Sequence, residues 1–337
     1  MVFSVLHHHI STKYGNSQDP SDFEEALRIL EGGYINIRDK SVSFINPSLR
    51  DYLSDYIDDL ELLCDFAMAA QKADWAERVW EHVSTTKMWS KRKLARIAAS
   101  FLSIAERFNN LPEVKELETE PRTWAFYDLC FAERVSLLLA WFSCTEEEHF
   151  SDLAYLLLER QAGQFGAWRD ARRLVNLVSE IRRGEFVELD KPEAFIDKIE
   201  EVLIGILRGH IWPDDLENLL NEIDENKEHL SEDVGEAANA AMIDQIENVD
   251  SHVRDIDSEI TLNDQIEAMK RFAPRLGIPD ATLKRAITTV EDRIARINEQ
   301  VESAKSPAFS SIPNREPEIF DDVALANLFA PLVNGLG

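Results

Sequence analysis

The sequence predicts a mainly α-helical chain with one β-hairpin near its start, and three observations lead there. Apolar residues recur at i, i+3 and i+4 along most of the 337 residues. Glycine and proline number only 12 each, a composition that suits helices. One stretch, Ile35 to Phe44, instead alternates apolar with polar residues around a turn.

Taken in order, Phe23, Ala26, Leu27 and Leu30 fall at helical spacing, and Gly32-Gly33 stops that helix because glycine enters the left-handed region without a steric penalty. Ile35 and Ile37 then alternate with Asn36 and Arg38, Asp39-Lys40 turns the chain, and Val42 and Phe44 flank Ser43. Asn46-Pro47-Ser48 opens a second helix, with Asn46 as N-cap and Pro47 at the first helical position, where its missing N–H costs nothing. Leu49, Tyr52, Leu53, Tyr56 and Ile57 mark the buried face of that helix. Helix, hairpin and helix make the second half of a winged helix.

The wording of this segment resembles a known family. Leu-Glu-Gly-Gly-Tyr-Ile before the wing and Phe-Ile-Asn-Pro-Ser-Leu-Arg-Asp-Tyr-Leu after it are similar to the winged-helix segment that ends the ATPase core of bacterial STAND proteins, the signal-transduction ATPases with numerous domains. The resemblance covers Asp22 to Ile57, about a tenth of the chain. It implies a nucleotide-binding core ahead of the segment, a helical sensor region behind it, and a switch or defence role triggered by a protein. The family's nucleotide site has nothing to map onto, since no Gly-x-x-x-x-Gly-Lys-[Ser/Thr] loop occurs in the sequence. The expectation is therefore a non-enzymatic regulatory or sensor module with no cofactor and a protein partner, including an ATPase core carried on another chain.

An irregular helical array follows over residues 61–184. Leu60, Leu63, Cys64, Ala67 and Met68 form one stripe, and Trp75, Val79, Trp80 and Val83 the next. Leu94, Ile97, Ala98, Phe101, Leu102 and Ala105 predict a third helix, and Glu113 to Pro121 a surface excursion. Trp124, Tyr127, Phe131, Val135, Leu138, Leu139 and Phe142 share helical spacing. Two further helices follow, one with Leu153, Leu156, Leu157 and Leu158, the other with Trp168, Leu174, Leu177, Val178 and Ile181. Three antiparallel helices follow from 122 to 183, and all seven tryptophans are expected mostly in core stripes. No fixed repeat period marks a named solenoid.

A boundary is placed near Gly184, after which acids outnumber bases in a helical segment over 185–303. There Phe195, Ile199, Val202, Leu203 and Ile206 form one helix ended by Gly209, and Trp212-Pro213-Asp214-Asp215 starts another. Leu276-Gly277-Ile278-Pro279-Asp280 reads as a joint between helices, and Leu283, Ala286, Ile287, Val290, Ile294 and Ile297 as the face of the helix beyond it. Residues 304–337 read as a proline-bearing linker and an apolar tail. Its Phe320, Leu328 and Phe329 suit peptide-in-groove contact, either on the chain's own body or on a partner.

Charge narrows the function classes. The net charge of −27 repels a phosphate backbone and disfavours nucleic acid as a partner. A winged-helix transcription regulator is the alternative reading, but the helix before the wing carries Asp22, Glu24, Glu25 and Glu31 against Arg28 alone, the wrong sign for a major groove. One basic stretch, Lys87 to Arg96, makes Lys91, Arg92 and Lys93 candidate interaction residues, with pairing to the protein's own acids as the competing use. Cys64, Cys130 and Cys144 lack paired metal spacing and suit reduced thiols. The histidines form no His-x-x-x-His or His-Glu-x-x-His pair. No run approaches the length of a membrane span, so the expected place is the cytoplasm, with no membrane partner.

Overall fold

The structure, a computed structural model, describes residues 25, 27–38, 41–46, 48, 59–85, 89–116, 123–160 and 163–305. The start of the helix before the wing, most of the helix expected after Pro47, and the tail with Phe320, Leu328 and Phe329 lie outside the described residues. The chain is mainly α-helical.

The wing is a short antiparallel ladder of β1 (Ile35–Arg38) and β2 (Ser41–Phe44), pairing Ile35 with Phe44 and Ile37 with Val42. Gly32 takes φ +80° between the preceding helical turn and β1, the left-handed geometry for which glycine was expected there. Asn46 accepts the Ser48 N–H through Oδ1 at 3.0 Å, the bond expected of an N-cap.

The array begins with α1 (Leu60–Met68), capped by Asp59, and α2 (Ala73–Thr85). The third stripe does not run unbroken to Ala105. Helix α3 (Lys91–Ser100) ends at Phe101, and α4 (Leu102–Ala105) and a 3₁₀ turn (Phe108–Asn110) follow. The cause is tertiary: Phe101 lies flat on Trp141 with ring centroids 4.5 Å apart, and Phe108 approaches the same indole at 5.8 Å. Holding both rings on one tryptophan redirects the backbone between them.

The expected three-helix unit is present as α5 (Phe131–Thr145), α6 (Glu148–Arg160) and α7 (Ala171–Arg182). Its start differs from the sequence expectation. Trp124 and Tyr127 do not extend α5 upstream. Trp124 lies in β4 (Trp124–Phe126), which pairs antiparallel with β3 (Val114–Glu116), and Tyr127 lies in the connector to the helix. Part of the predicted surface excursion is thus one strand of a second hairpin. The turn after α5 is closed by Glu146 at φ +60°, a left-handed position held by a non-glycine residue.

Beyond Gly184 come α8 (Pro192–Arg208), α9 (Pro213–Glu225), α10 (Glu232–Glu247), α11 (Val249–Val253), α12 (Glu259–Leu276) and α13 (Asp280–Lys305). Pro192 and Pro213 both sit in the first turn of their helices. Gly277 turns the chain at φ +64°, and the Ile278 N–H reaches back to the Ala273 carbonyl at 3.0 Å. Packing passes from helix to helix: α7 on α8, α8 on α10, α10 on α12, α12 on α13.

The apolar core does not stop at Gly184. Leu174, Leu177 and Val178 of α7 belong to one cluster with Ile199, Val202 and Leu203 of α8. The Ser179 hydroxyl donates to Asn226 Oδ1 at 2.6 Å across the same junction. Deeper in, Gln245 Nε2 donates to the Ile211 carbonyl and Gln265 Nε2 to Gln245 Oε1, so each buried amide has an acceptor for its N–H.

The tryptophans divide. Trp80 and Trp141 are core, but Trp124, Trp168 and Trp212 are exposed, contrary to the expectation from their stripes. Trp168 precedes α7 instead of lying on it. Among the described residues no helix is long and apolar enough to cross a membrane.

Candidate functional site

The densest chemistry in the described residues surrounds the N-terminus of α5, where β3–β4 meets the starts of α2, α5 and α7. A helix N-terminus leaves backbone donors without intrahelical partners and carries partial positive charge. Three carboxylates answer those of α5. Glu133 Oε2 accepts the Cys130 N–H at 2.9 Å, Glu113 Oε1 accepts the Phe131 N–H at 2.6 Å, and Asp170 Oδ1 accepts the Ala132 N–H at 2.8 Å.

The last two come from distant sequence and tie other elements in. Asp170 also accepts the Gly166 N–H through Oδ2 at 2.7 Å, fixing the loop before α7. The Glu113 carbonyl accepts the Tyr127 N–H at 2.7 Å, which closes the hairpin at its base. Asp128, one residue further, accepts the N–H groups of Ala73 and Asp74 and so caps α2.

Two arginines balance the acids. Arg169 sends Nη2 to the Asp128 carbonyl at 3.2 Å and lies 3.8 Å from Glu113 and 3.7 Å from Glu133. Arg134 is fully buried and donates Nη1 to the Phe108 and Leu111 carbonyls at 2.8 and 2.6 Å. Crowding shifts the titrations. Burial, and next the charge of Asp170, push Glu113 up to about 7. Burial also raises the Asp170 carboxyl and the Cys130 thiol, and lowers Arg134.

Packed against one another, these groups work as a clamp, and what the clamp presents is aromatic. Trp124 is 64% exposed and Phe126 59%. Two residues apart on one strand, they share a face, and Val114 stands opposite Phe126. Trp168, 64% exposed, packs on Phe126 with centroids 5.1 Å apart. The Arg169 guanidinium lies over the Phe126 ring at 4.7 Å. Behind this face the Tyr127 ring holds Lys72 at 3.6 Å and Lys115 at 3.5 Å.

The sequence-predicted interaction residues lie elsewhere. Lys91 begins α3 and pairs with Glu146 at 2.9 Å, and Lys93 stands 4.8 Å from the centre of the Trp89 ring. Arg92 is exposed on the same turn, while Arg96 pairs with Glu61. The structure does not bring this stretch into the hairpin site. The spacing of Trp124 and of Trp168 matches the helical stripes that follow them, and Phe126 belongs to no stripe, so the sequence does not group the three. Strands of three residues, Val114-Lys115-Glu116 and Trp124-Ala125-Phe126, are too short to display a period, so no local signal locates them. Comparison with protein-family models, with curated proteins and with solved structures gives no match to this chain.

Proposed function

We propose that this chain is a non-enzymatic regulatory module that acts by protein contact, with the aromatic face of the β3–β4 hairpin as its main contact surface. One observation carries the reading: Trp124, Phe126 and Trp168 stand together in solvent on a hairpin whose base is locked by Glu113, Asp128 and Asp170. Contiguous exposed apolar surface marks interaction sites, and tryptophan in such a patch dominates binding energies. A locked hairpin also loses little conformational freedom on docking, which raises affinity for the same contact area.

The reading agrees with the likeness of Asp22–Ile57 to the winged helix of STAND proteins. On that likeness the partner is a protein trigger or a nucleotide-binding core on another chain, in a bacterial switch or defence setting. The test is affinity capture by the full chain from cells that encode it, beside a Trp124→Ala, Phe126→Ala, Trp168→Ala variant. A stoichiometric partner held by the wild type and lost at least tenfold by a variant of unchanged melting temperature is the expected result. Equal capture by both chains, or ATP turnover by the purified protein alone, overturns the proposal.

A further inference from the structure

Away from the hairpin, α6 and the first turn of α8 border a cleft of about 540 Å³ that stands open to solvent. It shares no lining residue with the aromatic face. On α6, Asp152, Tyr155, Leu156 and Glu159 lie at i, i+3, i+4 and i+7, so they follow one line along the helix. Tyr155 and Leu156 are half-buried in the middle of that line. The exposed carboxylates of Asp152 and Glu159 end it, about 10 Å apart along the axis. Leu189 and Phe195, both buried, complete the apolar bottom from the other side, and Phe195 holds the Tyr155 ring edge-on with centroids 5.4 Å apart. Asp190 and Lys191 stand exposed on the far rim.

Local needs of the fold do not account for these charges. Glu159 is the penultimate residue of α6, where the partial negative charge of the helix end disfavours an acid. Neither Glu159 nor Asp152 makes an ion pair among the described residues. Lys191, the one base of the lining, lies 3.8 Å from Asp190, which leaves the two α6 carboxylates unanswered. Beside the cleft, two residues before Leu189, Val187 is 80% exposed.

We infer that this cleft takes an arginine side chain of a partner protein. Arginine combines an apolar stem, which suits Tyr155 and Leu156, with a planar cation that stacks on an aromatic ring and forks onto carboxylates. The carboxylates at both ends of the apolar line complement that charge. The open mouth and the exposed Val187 suit a side chain presented by a polypeptide, whose neighbouring residue covers the valine. A free metabolite is held instead in a pocket that buries most of its surface. This docking is independent of the aromatic face and stands or falls without it.

The experiment is fluorescence anisotropy of labelled peptides on the full chain, at an ionic strength of about 0.15 M. The first peptide carries a central Leu-Arg-Leu between Gly-Ser arms, and the second replaces its arginine by the neutral isostere citrulline. The first should bind about tenfold more tightly than the second. Asp152→Asn with Glu159→Gln keeps the shape of the cleft and removes both charges. It should weaken the first peptide about tenfold at an unchanged melting temperature. Asp233→Asn with Glu236→Gln removes the same charge from exposed positions on α10, outside the cleft, and should leave binding unchanged. Equal binding of the two peptides overturns the assignment, and that comparison needs only the wild-type chain should a variant fail to fold. Equal loss in both double variants overturns it too, because only net charge would then be felt. Binding of N-acetylarginine amide as tight as that of the first peptide would give the cleft to a free small molecule and overturn the docking.

Discussion

Glu113 shows how much one side chain carries at the hairpin base. Its Oε1 caps α5 through the Phe131 N–H, while burial and the neighbouring Asp170 make its negative charge unfavourable. Its folded pKa near 7 exceeds the ordinary 4.5, so between these values the native state holds a proton that the unfolded chain has released. Stability from this group therefore rises as pH falls through that window, and the cost of its ionised form is fully present above pH 7. Glu113→Gln keeps the acceptor and removes the charge. Discounted for the solvent that still reaches the side chain, the variant should be more stable than the wild type by about 1 kcal/mol at pH 8. The difference should vanish by about pH 4.5, as chemical denaturation at the two pH values will check. A constant difference at both would show that Glu113 is not titrating in this window.

At the scale of the element, α5 is held by carboxylates that its own sequence only partly supplies. Glu133 is local, three residues from Cys130, and is legible as a capping acid. Asp170 arrives from 38 residues away and serves two donors, on Ala132 and Gly166. Asp170→Ala leaves both backbone groups without acceptors at a site where Asp170 is 1% exposed. An abandoned buried donor costs about 1–3 kcal/mol, so the variant should lose about 2 kcal/mol or more by urea denaturation. A loss below about 0.5 kcal/mol would mean the two N–H groups find other acceptors. The same contrast between local and distant separates what neighbouring residues encode from what they do not. Gly32, Asn46, Pro213 and Gly277 act within a few residues of themselves, Asn46 through its side-chain oxygen and the others through backbone conformation, so the sequence alone places these ends. Strands β3 and β4 span three residues each, too few to display a period, and Trp124, Tyr127 and Phe131 coincide with helical spacing by chance.

At the scale of the molecule, an excess of acid meets a core that crosses Gly184. With 63 Asp and Glu against 36 Lys and Arg, pairing cannot neutralise the surface. Pairs such as Arg271–Glu217 and Arg275–Asp224 are exposed and contribute little. Self-repulsion should therefore dominate the response to salt. Raising ionic strength from about 0.01 M to about 0.1 M shortens the screening length from about 30 Å to about 10 Å. Calorimetry should then show the melting temperature rising by about 2 °C or more. A fall would indicate that the ion pairs outweigh the repulsion.

By itself the sequence determined the helical class, several helix ends, the first hairpin and the acidic character, because periodicity, caps, turns and net charge are written in neighbouring residues. The tertiary structure alone decided the second hairpin, the break at Phe101, the exposure of Trp124 and Trp168, and the clamp of Glu113, Asp128 and Asp170. Each of those depends on groups far apart in the chain. Burial, charge compensation and ring packing are properties of the space between elements, and no local pattern encodes them.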